Sequence, residues 1–491
     1  MKTQIRLLVA LTLLTILHEG SAQTILSGNI SGNWSPSGNP YIISANATVP
    51  GGQTLTIQPG VIVWIGQGIS ITVNGAISAV GTSPSHITFQ APISSQYWNT
   101  VSVNNSFTNV FNYCDFVNAT NALAFVGTGT SNQITYCMFT NVVGTALAFN
   151  NQSGNQALFS SFQSVNNGIS IAANGNNGTN TAIIMNCSFS NCWGQAVSGA
   201  CNGTPGSFGA TIATINNCSF NEVSSGCSFV LSGYYYYNGY GYGNLQLMAN
   251  IFQNVTNTAI SLMQNGNTVS SPATMINNII LNASNGIISQ DPWEAMVMDN
   301  ILVGCTNAVT DTGSLSRNIE YNDFYKNATN FVGYTSDYGT VIIANRNGTP
   351  CDLLFNIYQN PQFVSTNNFT LQTNSPCIDA GTPNVAYMDV SFPPSQGTGL
   401  PDLGIYGGPL AANWLPVVPI TPAPITLSAS RALKLTCNNV VAAGSYQIQS
   451  ATNLTSWADY GSRFYMTATS NLVQYVDATN NAGFFRLKSL Q

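Results

Sequence analysis

At 491 residues the chain has room for more than one domain, yet only 5% of it is Asp, Glu, Lys or Arg, against about a quarter in an ordinary globular protein. Asn, Ser, Thr and Gly supply its polar surface instead. Between Arg6 and Arg317 there is no Lys or Arg. That excludes nucleic acid as a partner, because basic side chains supply most phosphate binding, and it disfavours a densely anionic glycan.

In chain order, Lys2 and Arg6, the apolar run Leu7 to Leu17 and the small residues Gly20-Ser21-Ala22 read as an export signal cleaved near Gln23. Residues 1–22 are therefore expected to be a signal peptide, and the protein to be secreted or displayed at the cell surface. No later segment offers about 18 consecutive apolar residues, so no transmembrane segment is expected. The eleven Cys include no CxxC, and the only His are His18 and His86. No zinc-type cluster follows from these, and no metal or other cofactor is predicted.

A repeat dominates the middle of the chain. A small residue or Asn, any residue, then an aromatic or aliphatic one recurs at Cys114/Phe116, Cys137/Phe139, Ser160/Phe162, Cys187/Phe189, Cys218/Phe220, Asn250/Phe252, Asn278/Ile280, Asn300/Leu302 and Asn322/Phe324. Successive spacings are 23, 23, 27, 31, 32, 28, 22 and 22 residues, periods that signal a solenoid. The runs that follow, such as NATNALAF, VVGTALAF and NVTNTAISL, alternate with period two and are rich in β-branched residues, so they predict short strands rather than helix. Coils this short, joined in one direction, stack as parallel strands. Alternation then turns both motif positions inward, building a Phe ladder beside a Cys-to-Asn ladder with rungs about 4.8 Å apart. Inward Asn needs partners, which adjacent Asn side chains and turn backbone can provide. Cys114, Cys137, Cys187 and Cys218 read as small buried hydrophobes, with a disulfide between neighbouring rungs as the alternative.

These repeats, the opening ATVPGGQTLTIQPGVIVWIGQGISITVNGAISAVGTSPSHITF, and the closing NPQFVSTNNFTLQTNSPCIDAGTP with DLGIYGGP resemble right-handed parallel β-helix repeat proteins of the pectin-lyase-like fold, common among exported bacterial proteins. The resemblance implies an all-β chain: a right-handed parallel β-helix with a C-terminal cap over 23–412, a Pro-rich linker over 413–425, and a small β-sandwich-like domain over 426–491. That last block is similar to C-terminal modules of exported proteins of the Verrucomicrobia and Planctomycetes type, which often end in an aromatic-Arg-aliphatic strand, here Phe485-Arg486-Leu487.

Four consecutive coils are swollen, with added residues near 172–180, 201–209, 232–243 and 264–273. Neighbouring insertions on one side of a solenoid must stack into a wall, and such walls commonly form the binding face. The tallest carries GYYYYNGYGYGN, whose Tyr234, Tyr235, Tyr236, Tyr237, Tyr240 and Tyr242 are the candidate ligand-binding residues. Tyrosine offers a flat apolar face with a hydroxyl handle, suited to sugar rings or a protein partner.

Enzymes of the resembled fold that cleave by β-elimination hold calcium on carboxylates and use an Arg or Lys base, which every coil before Arg317 lacks. Glycoside hydrolysis requires two carboxylates about 5–9.5 Å apart, and before residue 290 the coils hold only Asp115 and Glu222, more than four coils apart. Charge gathers instead from residue 291 onward. There Asp291, Asp299, Asp311 and Asp323 are the candidate catalytic residues, with Asp299 and Asp323 expected to face outward on neighbouring coils. The competing reading is a charged solenoid end that protects the exposed coil edge. Asp379 and Asp402, beside glycines, read as turn and cap residues. The expectation is a non-catalytic protein that contacts polysaccharide or a cell-surface component, with a lyase or glycoside hydrolase, or a structural surface-layer rod, as alternatives.

Overall fold

The computed structural model describes residues 23–414 and 432–490, apart from 105–107, 127–130, 175–177, 204–207, 234–239, 267–270, 291–292, 313–317, 335–337, 366–367, 441–443, 453–454, 467–469 and 478–483. Contacts divide the chain into two compact units, one ending at Pro416 and the other spanning Val417–Gln491. The first is a parallel β-helix. Its strands form a 22-stranded and a 12-stranded sheet, in which each rung pairs in parallel with the equivalent rung of the next coil, as Phe116 with Phe139 and Phe139 with Phe162.

From Tyr113 onward two sharp corners shape each coil, and both are single residues in the left-handed region. The first corner is the row Tyr113, Tyr136, Phe159, Asn186, Asn217, Ala249, Asn277, Asp299 and Tyr321, with φ between 49° and 57°. The second is Asn118, Asn141, Ser164, Asn191, Glu222, Asn254, Asn282, Gly304 and Lys326. A left-handed residue bends the chain without losing its rung-to-rung bond: Tyr113 N–H still donates to Thr135 O and Tyr136 N–H to Leu158 O, both at 3.0 Å. Among residues with a side chain Asn tolerates this conformation best, yet Tyr, Phe, Ala and Lys are also held there, because the neighbouring rungs on both sides dictate the bend. The third corner is the one that varies in length.

Inside, Phe89, Phe116, Phe139, Phe162, Phe189, Phe220 and Phe252 stack with centroids 4.5–4.9 Å apart and planes within 8° of parallel. The ladder thus begins one coil before the sequence motif does. Beside it, Asn250, Asn278, Asn300, Asn322 and Asn356 are chained: each donates its side-chain amide to the next one's Oδ1 at 2.9–3.1 Å. Each also bonds a backbone carbonyl, such as Asn278 to Leu247 O at 2.9 Å. Upstream the same position holds Cys, with Ser160 in one coil; the thiols donate to carbonyls, Cys114 to Ala79 O and Cys137 to Phe111 O, both at 3.4 Å, and Ser160 Oγ donates to Leu158 O at 2.9 Å. All eleven Cys are free thiols, ten of them buried.

Outside the solenoid, residues 376–414 run back along the first corner as a strap. Gly404 N–H donates to Asp299 O at 2.8 Å, Asn277 Nδ2 to Asp402 O at 3.1 Å, and Asn217 Nδ2 to Leu410 O at 3.3 Å. Beneath it the outward positions turn apolar. Ser219 is followed in register by Ile251, Ile279 and Ile301, which pack with Cys377, Leu403 and Ile405 of the strap. Met248, Ile276 and Met298 similarly meet Tyr387 and Leu410.

The second unit is antiparallel. Ala432–Val440 pairs with Ser470–Asp477, and Gly444–Ala451 lies between Ala458–Met466 and Phe484–Leu490. Arg486 of the closing strand donates twice to Gln449 Oε1, at 2.9 and 2.8 Å, and its guanidinium lies 4.3 Å from the centre of the Trp457 ring.

Candidate functional site at the third corner

The swollen coils extend the solenoid's own strands. Ser161–Asn174, Gln195–Asn202, Ser225–Gly233 and Thr258–Gly266 form one leaf, in register through Asn174, Asn202, Ser232 and Asn265. Thr179–Met185, Phe208–Asn216, Tyr240–Met248 and Ser271–Ile276 form the other. The described flanks of the expected insertions therefore stack as two leaves, while residues 175–177, 204–207, 234–239 and 267–270 between them lie outside the described residues.

Glycine lets the leaves close on each other. A Cβ on Gly209 would lie 2.9 Å from Asn202 O, one on Gly241 2.6 Å from Ser232 O, and one on Gly243 2.3 Å from the Trp293 ring. The leaves are further joined by the Cys201 thiol, which donates to Gly209 O at 2.7 Å and accepts from Tyr242 N–H at 3.0 Å. Trp293 is fully buried in this layer and donates its indole N–H to Met263 O at 3.2 Å.

The run Tyr240-Gly241-Tyr242-Gly243 is thus a period-two strand with glycine facing the opposite leaf and tyrosine facing out. Tyr242 lies near Phe208, ring centres 6.0 Å apart, and Phe208 is 39% exposed. One rung on, a cavity of about 430 Å³ is lined by Pro272, Thr274, Glu294, Met296 and Asn318. Pairing of Leu245 with Ala273 and of Pro272 with Glu294 puts the cavity beside the strand that carries the tyrosines. Aromatic rings next to a small cavity with a few polar groups offer apolar faces together with fixed hydrogen-bonding positions. Tyr234, Tyr235, Tyr236 and Tyr237 lie outside the described residues. Phe208 and Pro272 escaped the sequence reading, and Glu294 enters it only as one of the charges gathered from residue 291 onward, because only strand register brings these residues to the strands flanking Tyr240–Met248 and the one after.

The expected carboxylate pair does not stand on an open face. Asp299 and Asp323 do point away from the coil interior, but both are fully buried, because the strap and the turns before it cover that side. Asp299 Oδ1 accepts from Thr382 N–H at 2.7 Å, whereas Asp323 Oδ1 accepts from Gln359 N–H at 3.2 Å and its Oδ2 meets the Cys377 thiol at 3.5 Å. Burial pushes both carboxyls well above the ordinary range, with the backbone donors opposing it only in part. Asp311 is half-buried at the end of the strand Asn307–Asp311, in register with Ser289. Asp291 and Arg317 lie outside the described residues. Asp379 and Asp402 hold turns: Asp379 Oδ1 accepts from Thr398 N–H at 2.8 Å, and Asp402 accepts from Asp379 N–H at 2.9 Å and Gln396 N–H at 2.7 Å.

Among the described residues no cluster of three His, Cys, Asp or Glu is placed to hold a metal ion, and no helix is long and apolar enough to cross a membrane. No protein-family model matches the chain, and no curated protein matches it.

Proposed function

We propose that this protein is an exported or cell-surface β-helix of the pectin-lyase-like kind that binds polysaccharide through the outer face of its third-corner wall, without cleaving it. The observation that carries the reading is the grouping of Tyr240, Tyr242 and Phe208 beside the cavity at Pro272 and Glu294. A face nearly free of basic side chains suits uncharged sugars better than polyuronates. Export rests on the segment from Lys2 to Ala22, and the second unit, with its closing Phe485-Arg486-Leu487, is read as an attachment or sorting module.

Affinity electrophoresis in gels containing neutral or acidic glycans tests the reading. Retardation by a neutral glycan that is lost in Tyr242→Ala, with unfolding unchanged, is the expected result; retardation indifferent to Tyr240→Ala and Tyr242→Ala together would sink it. Cleavage is the competing activity, with Glu294 as the acid in the cavity. Reducing ends or unsaturated products that vanish in Glu294→Gln would replace binding by catalysis. Concentration-dependent sedimentation of the unliganded protein would favour a surface-layer rod.

A further inference from the structure

The strap carries an unusual set of buried groups. Its Asp389 and Asp402 are joined, Asp389 Oδ2 accepting from Asp402 N–H at 3.2 Å; Asp389 bears in turn on Asp299 of the first corner, and all three are buried. Their partners are backbone amides: Thr382 for Asp299, Gly408 and Asp402 for Asp389, and Asp379 and Gln396 for Asp402. Asp299 Oδ2 is buried with no hydrogen-bond partner. Among the described residues the one ion pair is His86 with Asp115, at the far end of the solenoid, so no cation offsets these carboxyls.

We propose that the strap is a proton-dependent latch, seated on the first corner while Asp299, Asp389 and Asp402 are neutral and loosened as they ionise. Loosening bares the outward row Ile251, Ile279 and Ile301. Burial, reinforced by Asp402, raises Asp389 from 3.8 to about 8, and burial raises Asp402 from 3.8 to about 7. A carboxyl whose seated value exceeds its free value holds its proton more tightly when the strap is down. Seating is therefore most favourable below 3.8 and is lost progressively as pH rises to 7 and 8.

The surroundings add to the effect. On the strap, Asp379 raises both Asp389 and Asp402. On the corner, burial and then Asp389 raise Asp299, while burial, with Glu320 and Asp299 adding to it, raises the Tyr321 hydroxyl, which Arg346 opposes. In the adjoining layer Asp323 faces Cys377, and Tyr358 donates to Asp352. Arg346 is exposed and acts on Tyr321 rather than on the three carboxyls.

Hydrogen exchange on the full chain in EDTA, so that no divalent cation replaces the proton, tests the latch between pH 5 and 9. After correction for intrinsic exchange, the amides of Thr382, Leu403 and Gly404 lose protection by up to about tenfold per pH unit for each ionising carboxyl, while those of Phe189 and Phe220 keep theirs. Asp389→Asn with Asp402→Asn cuts the slope to that of Asp299 alone. Should that pair fail to fold, Asp389→Asn alone gives a shallower slope than the native chain. Strap protection constant with pH, strap and ladder failing together, or a slope unchanged by Asp389→Asn would each overturn the proposal.

Discussion

The side-chain amide of Asn300 donates to Asn322 Oδ1 at 2.9 Å, and the backbone N–H of Asn300 reaches the same oxygen at 3.0 Å. Asn300 Oδ1 in turn accepts both donors of Asn278. Replacing Asn300 by Ala leaves buried donors and carbonyls without partners, and should cost about 3 kcal/mol in denaturant unfolding. Asn300→Cys should cost less, because Cys occupies this position in earlier coils and bonds the same kind of carbonyl.

Phe189 stacks on Phe162 and Phe220 at 4.8 Å on either side. Phe189→Ala removes one ring from a continuous column that cannot collapse without losing rung register. The expected destabilisation is about 4 kcal/mol, read as a lowered unfolding midpoint with unchanged slope.

Gly243→Ala drives a methyl into the Trp293 ring, prising the leaf that carries Tyr240 and Tyr242. It should destabilise by about 2 kcal/mol and weaken glycan retardation, although no surface group has changed.

The thiols give a simple chemical check. Burial raises Cys192 to about 12 and Cys201 and Cys305 to about 11, so they stay protonated at pH 8. An aromatic disulfide reagent should label Cys437, which is half-buried, in the native chain. The ten buried thiols should react only on unfolding.

Ile279 is buried only because the strap lies over it. Ile279→Ser, which installs the residue type found at the same register position in Ser219, should raise strap exchange while leaving the exchange of Phe189 unchanged.

The inner ladders were legible because a 22- to 32-residue repeat places equivalent residues at equivalent positions. The two left-handed corner rows were not. Their occupants range from Asn and Asp to Tyr, Ala and Lys, and what they share is a backbone angle imposed by neighbouring coils. Asp299 and Asp323 show the other limit. Period two gives the direction of a side chain relative to its own coil, but not what lies above it, and Thr382 reaches Asp299 from 83 residues away. A sign was nevertheless present: the outward positions change from Ser219 to Ile251, Ile279 and Ile301, and such a row must be covered. For the wall, the swollen spacings located the flank correctly, while the outward facing of Tyr242 depended on the glycines between the tyrosines.

Phe189, Phe220 and Phe252 belong to the longest coils, with 31 and 32 residues between successive rings, yet their centroids lie 4.8 and 4.5 Å apart. Chain added at the third corner is invisible to the column of rings behind it. The scaffold and its surface can therefore diverge separately: segments of new length and chemistry can be spliced into that corner, coil by coil, without disturbing the register on which folding depends.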